Sequence, residues 1–308
     1  MLSYQHAYHA GNHADILKHF VLTFVLKSLN KKENPYTFFD THSGSGLYDF
    51  EDNRSLKTGE ASCGIKKLLK ALDDTPCFDF PDFLDYIDIV KTYAKKNLYP
   101  GSPLIERDFM RSQDFLILSE LHPQEIENLR ENINDSFYKK SKDSDFPSVM
   151  IHKRDGWEML KALTPPHTKR GAVLIDPSYE ESEDYELAAK TICEVFKKWS
   201  NGIFLLWYPL LAHRETEINS MLENIKSDVR RVNKNTEIVN LKLCVFDKDR
   251  HVEKSLDIVL SDEDKKNPPR LYGSGMIVIN APWKLKENGE KVVEFLKNVI
   301  SFQSQEES

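Results

Sequence analysis

AVLIDPSYE, residues 172–180, joins a short apolar run to a carboxylate, a proline, a serine and a tyrosine. A continuous apolar run of this length is typical of a strand that is covered on both faces, as in a parallel sheet with helices above and below. Runs of the same kind occur at residues 36–39, 115–118, 149–151 and 203–207. The carboxyl ends of such strands are where open α/β sheets bind ligands. The stretch therefore predicts both a fold class and the edge of a binding site.

Helical segments alternate with these strands. Apolar side chains recur at helical spacing in residues 14–29, 185–199 and 218–225. Asn12 is the predicted N-cap of the first of these helices. Residues 238–246 and 275–279 are predicted to pair as antiparallel strands at the sheet edge. The pattern predicts an α/β fold with a doubly wound, mostly parallel sheet.

The first two predicted strands are separated by residues 40–114, far more chain than one crossover needs. Two helix-like stretches, 59–72 and 81–97, fall in this interval, and the turn-rich stretch 99–103 ends it. An inserted helical unit explains the extra length. The predicted domains are residues 1–48 and 103–308 for the main α/β domain and residues 49–102 for a small helical subdomain inserted into it.

The composition limits the class of protein. Of the 308 residues, 40% are apolar and 30% are charged, so the chain can bury a sizeable core and is expected to be globular and soluble. The formal net charge of -7 argues against nonspecific coating of nucleic acid, because such binding uses clustered Lys and Arg. No apolar stretch is long enough to span a membrane, and the N-terminus has no signal-peptide pattern, so we expect a cytoplasmic location.

The four cysteines are widely spaced and form no CxxC pair. They are Cys63, Cys77, Cys193 and Cys244. This spacing favours thiols in a reducing compartment over a disulfide framework or a zinc finger.

Acidic residues follow three of the predicted strands. Asp40 opens the stretch DTHSGSG at 40–46, whose glycines allow a tight turn close to a ligand, although the full dinucleotide fingerprint is absent. Glu120 is placed to hold ribose hydroxyls, and Asp155, followed by Gly156, is placed to bind an exocyclic amino group. Taken singly, each acid is at least as well explained as a helix N-cap or a turn residue. Together they predict a nucleoside pocket.

The residues that follow the run 172–175 suit chemistry on an amine. An adenine exocyclic amine is a poor nucleophile, because its lone pair is delocalised into the ring. Asp176 offers a carboxylate and Pro177 a backbone carbonyl, so two acceptors can bind the two N–H groups and stabilise the charge that develops during methyl transfer. Tyr179 offers a ring on which the base can stack. The tetrapeptide alone is equally consistent with an alternative in which Asp176 caps the next helix and Tyr179 packs in the core.

Eight short stretches, spread over nearly the whole chain, form a recognisable set. They are LSYQHAYHAGNHADILKH at 2–19, FDTHSGSG at 39–46, YPGSPLI at 99–105, SELHP at 119–123, RDG at 154–156, LIDPSYE at 174–180, LWYP at 206–209 and SGMIVINAPWKL at 274–285. The N-terminal pattern HxGNHADxxKH is highly specific, whereas SGSG or RDG alone is not. In these stretches and in their order, the chain resembles the RlmJ family of ribosomal RNA adenine-N6 methyltransferases.

The resemblance implies a Rossmann-like class I S-adenosylmethionine-dependent methyltransferase with an inserted small helical subdomain. Its implied substrate is the N6 amine of adenine 2030 in 23S rRNA, free or in early assembly intermediates, with no membrane or obligate protein partner. The residues implied around the cofactor are His19, His42, Ser102, Glu120, Asp155, Gly156 and Asp176. Those implied in catalysis are Asp176, Pro177 and Tyr179, and those implied in RNA binding are Tyr4, His6 and Lys18, with no metal.

One position departs from the family motif, since Ser178 stands where the more familiar motif has a second proline. Because the implied acceptor is the carbonyl of Pro177, we expect this change to alter local stiffness more than chemistry.

Three alternatives stay open. Four of the ten histidines lie near the N-terminus, namely His6, His9, His13 and His19, and such a density of imidazoles can bind a metal. We favour polar contacts to cofactor and RNA, because no carboxylate completes an HExxH motif. A DNA adenine-N6 methyltransferase would use the same catalytic residues, since the 2′-hydroxyl contacts that select RNA leave no pattern in the sequence. A noncatalytic RNA-binding protein with a vestigial cofactor site is disfavoured by the intact catalytic motif.

Overall fold

The computed structural model describes residues 6–74, 80–134, 147–246 and 271–301. Its strands are β1 (Thr37–Asp40), β2 (Leu47–Asp49), β3 (Leu98–Pro100), β4 (Phe115–Glu120), β5 (Ser148–Lys153), β6 (Gly171–Ile175), β7 (Ile203–Leu211), β8 (Ile238–Cys244) and β9 (Leu271–Ile279). Its helices are α1 (His13–Asn30), α2 (Asn53–Thr58), α3 (Glu60–Cys63), α4 (Ile65–Asp73), α5 (Pro81–Ala94), α6 (Ser102–Phe109), α7 (Pro123–Asn134), α8 (Gly156–Leu163), α9 (Glu183–Lys198), α10 (Glu215–Val232) and α11 (Leu285–Ile300). Short 3-10 helices lie at His6–Tyr8 and Ala212–Arg214.

The main sheet has seven strands in the order β5-β4-β1-β6-β7-β9-β8. The first five in this order are parallel, while β9 is antiparallel to both β7 and β8. The predicted parallel strands and the predicted antiparallel pair at the edge are therefore confirmed. Because β4 and β6 lie on opposite sides of β1, the chain direction across the sheet changes there, which is where open α/β sheets form a crevice for ligands.

The parallel strands are covered on both faces. Phe38 packs into one apolar cluster and Phe39 into the other, and neither side chain is exposed. The same alternation along β6 sends Leu174 to one face and Ile175 to the opposite face. This burial on both faces explains why the strands read as continuous apolar runs.

Two helical layers supply this cover. On one face α1 packs against α5, α6, α11 and the sheet, and on the other α8, α9 and α10 pack together and onto the sheet. The predicted helices at 14–29, 185–199 and 218–225 are confirmed as α1, α9 and α10. The predicted cap of α1 is also confirmed, because the Asn12 side chain accepts hydrogen bonds from the backbone N–H groups of Ala14 and Asp15.

The long interval between β1 and β4 contains α2 to α5 and a two-stranded sheet of β2 and β3. The predicted helix at 59–72 is interrupted at Gly64, where a Cβ would lie 2.3 Å from the Gly11 carbonyl oxygen. Ile65 N–H donates to the same carbonyl at 2.8 Å, so the helical insertion is bonded directly to the N-terminal segment. The predicted subdomain limits at 49 and 102 stay a prediction.

Several short elements were not predicted from the sequence. The strands β2 and β3 have three residues each, too few for a period to show. Ser102 begins α6 immediately after Gly101, where a longer turn was expected, because Pro103 suits the first turn of a helix. The helices α2, α7 and α8 have 6, 12 and 8 residues.

None of the helices in the described ranges is long and apolar enough to cross a membrane. Cys63, Cys193 and Cys244 are free thiols, and Cys77 lies outside the described residues.

Candidate active site

A cavity of about 190 Å³ opens at the carboxyl ends of β1, β4, β5 and β6. Ten of the residues predicted for the site line it, namely His6, Lys18, His19, His42, Ser102, Glu120, Asp155, Gly156, Asp176 and Pro177. These residues come from six separate segments of the chain, so the fold brings together groups that are far apart in sequence. Tyr4 lies outside the described residues.

Asp176 follows β6 and is paired with a buried lysine. Lys18 Nζ lies 2.6 Å from Asp176 Oδ2 and 2.9 Å from Asp15 Oδ1. Burial alone would lower the pKa of Lys18, but the charges of Asp15 and Asp176 hold it well above its ordinary value. Lys18 is therefore charged, and the predicted catalytic acceptor and the predicted RNA contact touch each other at the cavity wall.

Asp176 does not cap a helix, because α9 begins only at Glu183 with Ser182 at its N-cap position. Tyr179, in contrast, is 6% exposed and does not line the cavity. Its hydroxyl donates to the Trp207 carbonyl oxygen at 3.0 Å, and its ring lies 4.6 Å from that of Tyr185. The packing alternative thus describes Tyr179 as it stands here, and its role as a stacking platform stays a prediction that requires the ring to leave this contact.

Glu120 ends β4 and holds the glycine-rich loop. One of its oxygens accepts from Gly44 N–H at 2.8 Å and the other from His122 N–H at 2.7 Å. Gly44 and Gly46 have φ values of 58° and 74°, a left-handed conformation that favours glycine. Leu121 N–H is a third backbone donor to this carboxylate, which has about four acceptor positions, so Glu120 can still accept from a hydroxyl group of a ligand.

Asp155 and Gly156 lie at the amino end of α8. Asp155 Oδ1 accepts from Glu158 N–H at 2.9 Å and is therefore the N-cap of this helix. A Cβ on Gly156 would lie 2.0 Å from the Thr41 carbonyl oxygen, so only glycine lets α8 approach the end of β1 this closely. The capping alternative is confirmed for Asp155, which also lines the cavity.

Two further carboxyl groups, those of Asp40 and Glu106, are fully buried and do not line the cavity. Ser102 Oγ donates to Asp40 Oδ2 at 2.7 Å, and His42 N–H donates to Asp40 Oδ1 at 3.1 Å. Burial raises the pKa of Asp40 to about 6. Burial also raises the pKa of Glu106 well above its ordinary value, and the neighbouring Asp40 raises it further. Neither carboxyl oxygen of Glu106 has a hydrogen-bond partner among the described residues.

His19 connects the cavity to the helical insertion. Its Nδ1 is hydrogen-bonded to the Tyr99 hydroxyl at 2.9 Å, and that hydroxyl is 3.0 Å from the hydroxyl of Tyr86. Burial lowers the pKa of His19 to about 3, so the imidazole is neutral. Its Nε2 is buried and has no hydrogen-bond partner among the described residues, and His19 lines the cavity.

Three of the N-terminal histidines have different hydrogen-bond partners. His6 Nε2 donates to Asp15 Oδ2 at 3.0 Å, His9 Nδ1 is 2.9 Å from Glu60 Oε1, and His19 contacts Tyr99. Within the described ranges, no three His, Cys, Asp or Glu side chains converge as metal ligands.

Asp15 and Glu106 are not among the residues predicted for the site, and Asp40 was predicted only as the start of the glycine-rich stretch 40–46, with no ligand assigned to it. A signal existed for the first, because an acid three positions before Lys18 on a helix faces the same side. Asp40 also ends an apolar strand, as Glu120 does. Nothing in the local sequence shows that Glu106, in α6, lies close to Asp40.

The sheet order, with one antiparallel strand near its edge and an acid-lined cavity at the carboxyl ends of the parallel strands, defines a Rossmann-like class I methyltransferase. The family model described as "Ribosomal RNA large subunit methyltransferase D, RlmJ" matches residues 33–244. This chain therefore belongs to the RlmJ family.

Individual relatives agree with this assignment. Two proteins named "Ribosomal RNA large subunit methyltransferase J", from Escherichia coli and Haemophilus influenzae, are each 36% identical to this chain, covering 97% of it and 94% of their own length. A crystal structure of a protein from Legionella pneumophila is similar with a TM-score of 0.74 and 29% identity, covering 96% of both chains.

Proposed function

We propose that this protein transfers a methyl group from S-adenosylmethionine to the N6 amine of a single adenine of 23S rRNA, adenine 2030 by family resemblance. The observation that carries the proposal is the position of Asp176 and Pro177 at the end of β6, in the same cavity as Glu120 and Asp155. The same cavity thus offers two acceptors for an amine and carboxylates suited to a nucleoside.

The cavity fits the proposed cofactor in its donor set. Glu120 would hold the ribose hydroxyls and Asp155 the adenine amino group, because carboxylates accept from both. His19, whose Nε2 has no hydrogen-bond partner among the described residues, and Ser102 also line the cavity, and their polar groups suit the amino-acid end of the molecule. When bound, S-adenosylmethionine supplies a methyl group on a positively charged sulfur.

The chain's own residues prepare the amine. Asp176 accepts one N–H group and the Pro177 carbonyl oxygen accepts the other, which draws the nitrogen toward tetrahedral geometry and stabilises its developing positive charge. Lys18 holds Asp176 Oδ2, so the carboxylate has a fixed direction before the base arrives. The amine nitrogen would form the new N–C bond as the bond between the methyl carbon and sulfur breaks, with that electron pair left on sulfur, and the nitrogen would then lose one proton to water. The Asp176 carboxylate would lower the cost of the positive charge that develops on the nitrogen.

A deletion strain provides the test. Nucleoside mass spectrometry of 23S rRNA should show one N6-methyladenosine fewer without the gene, with recovery by the wild-type gene but not by one encoding Asp176→Asn. Purified protein should then methylate protein-free 23S rRNA, which is the expected result if the substrate is free RNA or an early assembly intermediate. An unchanged rRNA profile together with methylation of DNA would instead support the DNA enzyme, and no methylation of either would support the noncatalytic alternative.

A further inference from the structure

Asp15 contacts three side chains that line the cavity, although it does not line the cavity itself. It lies in the first turn of α1 and is 1% exposed. Its Oδ2 accepts from His6 Nε2 at 3.0 Å and from Gly11 N–H at 2.8 Å. Its Oδ1 lies 2.9 Å from Lys18 Nζ and 3.9 Å from His19 Nε2. One buried carboxylate therefore touches residues predicted for both RNA binding and cofactor binding.

Asp15 is charged in the folded protein. Burial alone would raise its pKa, but its contact with His6, including the hydrogen bond from that ring, and the charge of Lys18 hold the pKa well below its ordinary value. Lys18 thus lies between two carboxylates, those of Asp15 and Asp176, and the group of three carries one net negative charge. A single cation shared in this way cannot neutralise Asp176 completely.

We infer that Asp15 is a positioning residue for methyl transfer, which shares Lys18 with Asp176 and so keeps the catalytic carboxylate able to accept from the amine. The inference rests on the proposed function. If the charge of Asp15 is removed, Lys18 has Asp176 as its only carboxylate partner within the described residues and the two form a closed neutral pair. The amine must then compete with a buried ammonium group for the same oxygens, which weakens stabilisation of its developing charge.

The first test replaces Asp15 by asparagine, which keeps the shape and an oxygen for Gly11 N–H but removes the charge. The single-turnover rate with saturating S-adenosylmethionine and RNA should fall about 10- to 100-fold, less than for loss of a direct transition-state contact. The dissociation constant for S-adenosylmethionine, measured by calorimetry, should change by less than about threefold, because the cofactor has other partners. Unchanged turnover would overturn the inference.

Asp114→Asn is the matched control. Asp114 is also fully buried, accepts backbone N–H groups and pairs with a basic residue three positions away, Arg111, but it lies at the opposite end of the sheet. Its substitution should lower the melting temperature without lowering the rate. A loss of rate as large as that of Asp15→Asn would show that general destabilisation, and not the position of Lys18, causes the effect.

A double-mutant cycle tests whether Asp15 acts through Lys18. In a Lys18→Met background, adding Asp15→Asn should change the rate by less than about threefold, because the cation that Asp15 restrains is already absent. If each substitution lowers the rate by its own factor and the two factors multiply in the double variant, the inference is contradicted.

All rates are compared at a temperature at which circular dichroism shows every variant folded. If Asp15→Asn has no such temperature, Asp15→Glu and Asp15→Ser are compared, and the charged variant should be the faster. The reverse order would overturn the inference. Methyl transfer by the wild-type protein is measured first, since an inactive wild type contradicts the proposed function, whereas an active one with an unaffected Asp15→Asn contradicts only this inference.

Discussion

The carboxylate of Asp176 is restrained before any substrate binds. Its Oδ2 lies 2.6 Å from Lys18 Nζ, and Lys18 is also paired with Asp15. Because Lys18 would keep one carboxylate partner if Asp176 were neutralised, a substitution there leaves no buried charge alone. A substitution of Asp176 should therefore change the methylation rate without a large change in the stability of the fold.

We expect Asp176→Asn to lower the methylation rate about 100- to 1000-fold, the scale found when one preorganised transition-state contact is removed. The amide has no negative charge, and its NH2 group can turn a donor toward an amine that already donates. Single-turnover kinetics at saturating S-adenosylmethionine and RNA measure this directly, and the thermal melting curve should change little. A near wild-type rate would mean that the acceptor for the amine lies elsewhere.

The pH dependence of cofactor binding should report on Asp40. Its pKa is raised to about 6, mainly by burial, whereas burial lowers the pKa values of His19 and His42 to about 3 and about 4. The histidines thus stay neutral above about pH 5, and binding of a cationic cofactor should strengthen as Asp40 loses its proton near pH 6. The contribution of Asp40 to the stability of the fold changes with pH in the opposite direction. Its folded-state pKa is above the ordinary value, so this contribution is present at low pH and is lost as pH rises through about 6.

Ser102→Ala should move this rise in cofactor affinity to higher pH. The Ser102 hydroxyl donates to Asp40 and lowers its pKa, so its removal should raise that pKa further. Calorimetric titrations of S-adenosylmethionine between about pH 5 and pH 8 measure the pH at which the affinity rises. If the affinity of the variant rises at the same pH as that of the wild type and is only uniformly weaker, the titrating group is a different one, such as Glu106.

At the scale of elements, the strands that carry the site were predictable, but the contacts between them were not. The continuous apolar runs predicted the parallel strands, because both faces of each are buried. The acids at the ends of β4 and β6 could therefore be placed at one edge from the sequence alone. The Lys18–Asp176 pair could not, since it joins residues 158 positions apart and depends on how α1 crosses the sheet. Tyr179 could not be placed either, because the sequence shows neither its φ of 51° nor the contact of its ring with Tyr185 in the core.

The link between the helical insertion and the N-terminal segment leads to a prediction at Gly64. A methyl group there would meet the Gly11 carbonyl oxygen at 2.3 Å, and backbone cannot yield as a flexible side chain can. We expect Gly64→Ala to destabilise the fold by about 1 to 3 kcal/mol and to lower the methylation rate, because Gly11 is bonded to Asp15 beside the site. Chemical denaturation and single-turnover kinetics measure the two effects.

Gly59→Ala is the control for that experiment. Gly59 has a φ of 66° but nothing within 4 Å of its Cβ position, so alanine there should cost only the strain of the left-handed conformation, about 1 kcal/mol. Similar losses of rate in both variants would show that the close approach of Gly64 to Gly11 is unimportant for the site.

At the scale of the whole molecule, the charge and the site favour recognition of one exposed base over broad binding to a duplex. The formal net charge is -7, so the chain has no excess of cations with which to cover a phosphate backbone. The proposed acceptors Asp176 and Pro177 lie on the wall of a cavity, not on an open surface, so the target amine has to enter it. A base that is stacked and paired within a helix cannot present its amine there, and extruding it costs a few kcal/mol.

We therefore expect a short RNA in which the target adenine is unpaired or weakly paired to be methylated faster than a perfect duplex with the same flanking sequence. If extrusion limits the reaction, a cost of about 1.4 kcal/mol corresponds to a tenfold difference in the ratio of kcat to KM. The matched substrate differs only in the nucleotide opposite the adenine, so the phosphate count and the length stay constant. Equal rates on the paired and unpaired RNAs, measured at one salt concentration, would show that the base reaches Asp176 by a route in which pairing carries no cost.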